Sequence, residues 1–330
     1  MLLRSVRRAL RRLRPAALIF VENVYSPVLA KEAAREGIPT ILVSGLVRSE
    51  FCPHEIYRRA FGLGFFRHIA LFLVKSHLDA ECLARLGVPP ERVQVAGNLK
   101  FDASHLKVLN SSLSRLRSDL KLQENEQVLV AGSLHEKEDE MVIDAFKALR
   151  EKVPRARLIL VPRYGSLLPS IERKLAADGL KFGKRTRLSP EVQPGVPVIL
   201  VDTFGELPSL YALGQAAILG GSFFKRHGVG FSQNIVEPLM HRVPVVFGPY
   251  ASQFQEITSA LQESWSGLLC TDSPSLANAL FVMLRDQEVR QHVLSQVDRI
   301  LDLNQDALGR HIQAVAAFLG AASDGGDEVN

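Results

Sequence analysis

Cysteine is scarce in this chain: three residues in 330, Cys52, Cys82 and Cys270, far apart and without a C-x-x-C pair. That spacing speaks against a disulfide framework and a thiolate metal site, and points to three thiols in a reducing compartment. No aspartate-rich pair or histidine cluster offers another metal site. Long apolar runs are missing too. The longest, residues 69–74 and 196–201, have strand length and fall well short of the ~18 residues of a spanning helix. The first residues are too densely basic for a secretory signal.

What is present is the composition of a soluble globular protein, 47% hydrophobic and 23% charged, long enough for two domains of ordinary size. The net charge of +5 is unevenly placed: Arg4, Arg7, Arg8, Arg11, Arg12 and Arg14 fall within the first fifteen residues. Leu3, Val6, Leu10 and Leu13 recur among them at helical spacing, so residues 2–14 form a basic amphipathic helix. Its apolar stripe can pack on its own sheet with the arginines in water, or the helix can graze an anionic membrane surface. Nucleic acid ranks last as a partner, because no aromatic platform, zinc pattern or RNA-binding signature accompanies the arginines.

Short apolar runs without polar alternation, at residues 17–21, 40–43, 69–74 and 93–96, are separated by helical patterns at 27–36 and 79–86. Such strands belong to a parallel sheet covered on both faces. After a polar stretch, the alternation restarts with strands at 128–130, 157–161, 196–201 and 217–219, a short buried strand within 244–249 and another strand at 267–270; helices are expected at 138–152, 206–213, 274–285 and 287–303, with a last helix to about 319. The expected organisation is a first domain over 1–105, a linker over 106–126, a second domain over 127–320 and a frayed tail over 321–330. Two βαβ domains place a ligand-binding cleft at the carboxyl ends of their strands.

The most informative stretch runs from Gly220-Gly221-Ser222 to Asn234-Ile235-Val236-Glu237-Pro238 and on to Pro249. It reads as a strand end, a glycine-rich turn and a helix opening near Asn234, which is the geometry of an anion site. Glu237 can cap that helix or reach a sugar hydroxyl beside a bound phosphate. An ordinary strand-to-helix turn with a Ser cap fits the same residues. His135 is equally a satisfied polar residue or a ligand partner.

Several segments line up in order: Val21-Glu22 before Pro27, Gly97-Asn98-Leu99-Lys100-Phe101-Asp102, Ala131-Gly132-Ser133-Leu134-His135-Glu136, Val161-Pro162-Arg163, Asp202-Thr203-Phe204-Gly205-Glu206-Leu207, and the stretch just described. Together they resemble the 3-deoxy-D-manno-octulosonic acid (Kdo) transferases. These are GT-B glycosyltransferases that add Kdo from CMP-Kdo to lipid A precursors. The resemblance implies a GT-B-like α/β fold of two Rossmann-type domains and a metal-independent, inverting transfer with no cofactor. It also implies a peripheral place on the cytoplasmic side of the bacterial inner membrane. For the donor it implies Ser133, Glu136, Arg163, Gly205, Glu206, Gly220, Gly221, Ser222, Asn234 and Glu237, with Lys100 at the cleft.

The chain departs from the family pattern at its start. The family's membrane anchor and the glutamate of its general base precede the segment with which this chain begins, so the first domain is expected to be incomplete. Glu22 is then the best carboxylate to act as base. Val24 and Ser26 stand where the family tends to have Glu and Trp, and Gln233 stands where it has His. Two other readings follow: a truncated, non-catalytic nucleotide-binding paralogue or half of a split enzyme, with an exposed apolar sheet edge, and a nucleotide-sugar 2-epimerase of the same fold.

Overall fold

The computed structural model describes residues 3–24, 26–47, 66–102, 110–187, 196–225 and 233–324, the side chains of 110–112 and 322–324 excepted. They form two compact units. The first comprises Met1–Asp102 and Leu303–Asn330, the second Ala103–Asp302.

In the first unit, helix α1 (Leu3–Leu13) buries Val6 and Leu10 against Ala33 and Ile38. Arg7 and Arg11 reach Glu32 at 2.5 Å and Glu36 at 2.9 Å, while Arg4, Arg8 and Arg12 are exposed. Strand β1 (Leu18–Val21) leads to α2 (Pro27–Arg35), which opens with Pro27 behind a Ser26 cap. Strands β2 (Thr40–Gly45), β3 (Leu71–Val74) and β4 (Val93–Val95), with α3 (His77–Arg85), complete a parallel sheet of order β1-β2-β3-β4. Both faces of β2 and β3 are buried, as their unbroken apolar sequence requires. One face carries Phe20, Leu42 and Phe72 under Ala30 of α2 and Leu83 of α3; the other carries Ile41, Val43, Leu71 and Leu73.

The second unit opens with α4 (Asn110–Asp119), inside the stretch expected to be a linker. Strands β5 (Gln127–Leu134), β6 (Ala156–Pro162), β7 (Phe182–Lys184), β8 (Val198–Leu200), β9 (Ala216–Leu219) and β10 (Val245–Val246) form a parallel sheet of order β10-β9-β5-β6-β8-β7. Helices α5 (Glu138–Lys152), α6 (Leu168–Ala177), α7 (Leu207–Tyr211), α8 (Val236–Met240), α9 (Gln255–Ser264), α10 (Ser273–Arg285) and α11 (Gln287–Leu303) follow in chain order. The helix expected near Asn234 is the five-residue α8, and the strand expected at 267–270 is a single bridge between Leu269 and Phe247.

The end of the second domain is corrected. Helix α12 (Ala307–Asp324) belongs to the first unit, where Ala314, Val315, Phe318 and Leu319 cover the face of Ile41, Val43, Leu71 and Leu73. His311 fixes the contact: its buried Nε2 accepts from the Ser44 N–H at 3.0 Å while Nδ1 donates to the Ala307 carbonyl at 2.7 Å. Residues 321–324 of the expected frayed tail are helical, and 325–330 lie outside the described residues. Cys270 is a buried free thiol, pushed up to about 12 by burial. Cys82 is disulfide-bonded, so the expectation of three thiols is corrected there.

Candidate functional site

In the second unit, a cavity of ≈ 230 Å³ opens where the carboxyl ends of β5, β6 and β8 meet the loops after them. Ser133, Arg163, Gly205, Glu206, Asn234 and Glu237, six of the expected donor residues, line it together with Phe204, Tyr211 and Gln233. Ser133 sits in the irregularity of the β5–β6 pairing between Ala131 and Leu134, with a left-handed φ of +55°. A non-glycine residue held there is a strained feature of the kind that collects at functional sites.

Arg163 follows β6. Its backbone N–H donates to the Leu134 carbonyl at 2.7 Å, and its exposed guanidinium lies 5.9 Å from the Tyr164 ring centroid. Among the described residues no carboxylate pairs with it. Glu206 is held by Arg185 at 3.0 Å and by the Thr203 hydroxyl. Asn234 donates through Nδ2 to Glu237 at 3.2 Å, and its Oδ1 accepts from the Val236 N–H at the start of α8. Tyr211 is buried at the cavity floor, and burial together with the Glu237 charge pushes its phenol above the ordinary range. Two carboxylates suited to hydroxyl or amine donors, with one accessible guanidinium for an anion, make a site for a polar ligand that carries negative charge.

The glycine loop does not line this cavity. Gly220 lies so close to β5 that a Cβ there would collide with the Gly132 and Ser133 backbone, so its glycine serves the close approach of the chain after β9 to its neighbour β5. The Gly221 and Phe223 N–H groups donate to the buried Glu138 carboxylate at 2.7 and 3.1 Å. Ser222 is fully buried, its hydroxyl donating to the Leu219 carbonyl and accepting from the Gly248 N–H. The expected phosphate-binding amides of Gly221 thus already serve a protein carboxylate, and Glu136 points to solvent outside the cavity lining. Glu138 and Arg185 were not singled out from sequence, and Gln233 was noted there only as a departure from the family's His. An acid three residues after His135 resembles an ordinary helix-start acid, and that spacing is the one available signal.

In the first unit, Glu22 ends β1 with a φ of +63° and lies 2.7 Å from Lys75 and 2.9 Å from Lys100. Burial pushes its carboxyl up, but the two ammoniums outweigh this and leave it below the ordinary 4.5. Burial also pulls the Lys75 ammonium down. Among the described residues no group of three His, Cys, Asp or Glu side chains could hold a metal ion, and no helix is long and apolar enough to cross a membrane.

A family model described as 3-deoxy-D-manno-octulosonic-acid transferase (kdotransferase) matches residues 2–103. The 3-deoxy-D-manno-octulosonic acid transferase of Aquifex aeolicus is 30% identical over 315 residues, which cover 96% of this chain and 76% of that protein. The chain belongs to this transferase family. It spans 46% and 62% of the length of two other curated relatives that it matches. Among solved structures, the C-terminal CMP-Kdo binding domain of WaaA from Acinetobacter baumannii is 25% identical with a TM-score of 0.52, covering 58% of this chain and 96% of that domain. Anabaena Alr3699/HepE in complex with UDP has a TM-score of 0.64 at 18% identity, covering 97% of this chain and 82% of that one, a likeness of fold. The Kdo transferase relation and the two parallel sheets agree with a GT-B-like chain of two Rossmann-like units.

Proposed function

We propose that this Kdo transferase homologue binds CMP-Kdo in the cavity of its second unit and transfers Kdo, with inversion and without a metal, to a lipid A precursor. The observation that carries this reading is the convergence of Ser133, Arg163, Gly205, Glu206, Asn234 and Glu237, from separate segments of the chain, on one cavity. In this reading Arg163 takes the cytidylate phosphate, since no cation is invoked to stabilise the departing nucleotide. Glu237 takes the ribose. Glu22, ionised and bracketed by two lysines, is the proposed base of the first unit, and Lys100 holds it in place. The exposed Arg4, Arg8 and Arg12 of α1 face anionic lipid at the cytoplasmic side of the inner membrane.

The test is calorimetric titration with CMP and with UDP, followed by incubation with CMP-Kdo and lipid A precursor. CMP binding in preference to UDP, and CMP release that a Glu237→Ala variant loses, are expected. Equal affinity for UDP, or release no faster than in that variant, would refute the proposal.

A second reading is favoured by β1. It is the edge strand of the described sheet, and its Ile19 and Val21, which share one face, are 48% and 53% exposed. Such an edge invites a further strand, and the chain would then act as part of a larger assembly. Sedimentation showing a single monomeric species over a wide concentration range would count against this.

A further inference from the structure

Glu138 is the one fully buried carboxylate among the described residues that gathers three backbone N–H groups from two separate loops. Oε2 accepts from His135 at 3.0 Å and from Gly221 at 2.7 Å, and Oε1 accepts from Phe223 at 3.1 Å. One loop leaves β5 and the other leaves β9. Ser133 lies two residues before His135. Gln233 is tied back to the second loop by its N–H to the Gly220 carbonyl at 3.0 Å, and to the first by its side-chain amide 3.2 Å from His135 Nε2. The buried Gly221 and Phe223 amides and the half-buried His135 amide, left without an acceptor, would each carry a desolvation cost, so without the carboxylate these residues lose their hold on one another.

We propose that Glu138 is a positioning residue of the donor cavity: a resident anion that occupies the glycine-loop amides and thereby sets Ser133 and Gln233 for the nucleotide. The inference rests on the reading that this cavity binds a cytidine nucleotide. Its consequence is that the nucleotide's negative charge is met by Arg163 and not by the Gly221 amide, which has an acceptor before any ligand arrives. The side chain acts through the loops and touches no reacting atom.

The experiment compares wild type with Glu138→Gln, which keeps the shape but replaces one accepting oxygen with a group that cannot accept. CMP is titrated calorimetrically into both, and amide hydrogen exchange is followed in the unliganded proteins. The expected result is a rise in Kd of about 10–100-fold with stoichiometry near one, matching the loss of a charge-assisted hydrogen bond. In wild type, the Gly221 and Phe223 amides should be strongly protected without CMP, and this protection should fall in the variant. A lowered stoichiometry with unchanged Kd would mean a merely structural residue and would overturn the proposal, as would an unchanged Kd and stoichiometry. Rapid exchange of both amides in wild type would overturn it without any variant. Wild type failing to bind CMP at all would sink the underlying reading, which is a separate outcome.

Discussion

Gly220 shows how one residue can be conspicuous for the wrong reason. A double glycine ahead of a helix suggests a backbone that approaches a phosphate, yet Gly220 faces the Gly132 and Ser133 backbone and the Gly221 amide is held by Glu138. A Gly220→Ala substitution should therefore destabilise the second unit by about 1–3 kcal/mol through overpacking, read as a lower urea midpoint. Arg163, Glu206, Asn234 and Glu237 could be picked out from sequence because their types and order carry the family resemblance. Glu138 could not: an acid in the first turn of a helix is common, and only the fold shows which amides it meets. Glu22 was legible as a carboxylate and Lys100 as a cleft residue, but not their pairing nor Lys75, since the two lysines follow different strands, β3 and β4. If it is the base, Glu22→Gln should lower kcat by roughly 10²–10⁴ with the donor KM unchanged. An unaltered kcat would move the base elsewhere.

Among the elements, helix α12 was expected as a helix but assigned to the wrong domain. Helical periodicity reveals that one face must be covered and says nothing about which sheet covers it. The strands of both sheets other than β7 were legible because buried parallel strands read as unbroken apolar runs. The short β7 and helices α6 and α9 were not among the expected elements. His311 of α12 makes a pH prediction. Burial pulls its pKa below the usual 6.5, although the Ala307 carbonyl, the Leu73 backbone and the Asp102 charge work the other way; the Arg310 charge works with burial. Its contribution to stability is thus complete above pH 6.5 and is lost as pH falls below that value, because the unfolded chain takes up the proton first. The denaturation midpoint of wild type should drop between pH 7 and 5 more steeply than that of His311→Gln, and parallel curves would exclude the effect.

For the molecule as a whole, the α/β class and the restart of the βαβ alternation could be read from sequence, since both rest on hydrophobic pattern. The route of the chain could not. It begins one sheet, builds a second, and returns to the first with α12. On the ribosome this return has a cost in time. The surface of Ile41, Val43, Leu71 and Leu73 is made early but stays bare until the residues around Phe318 emerge, about ten seconds or more later at bacterial elongation rates. Nascent chains of this protein are therefore natural clients for holding chaperones during that interval, and translation that stops before α12 yields a product with one finished unit and one sticky sheet.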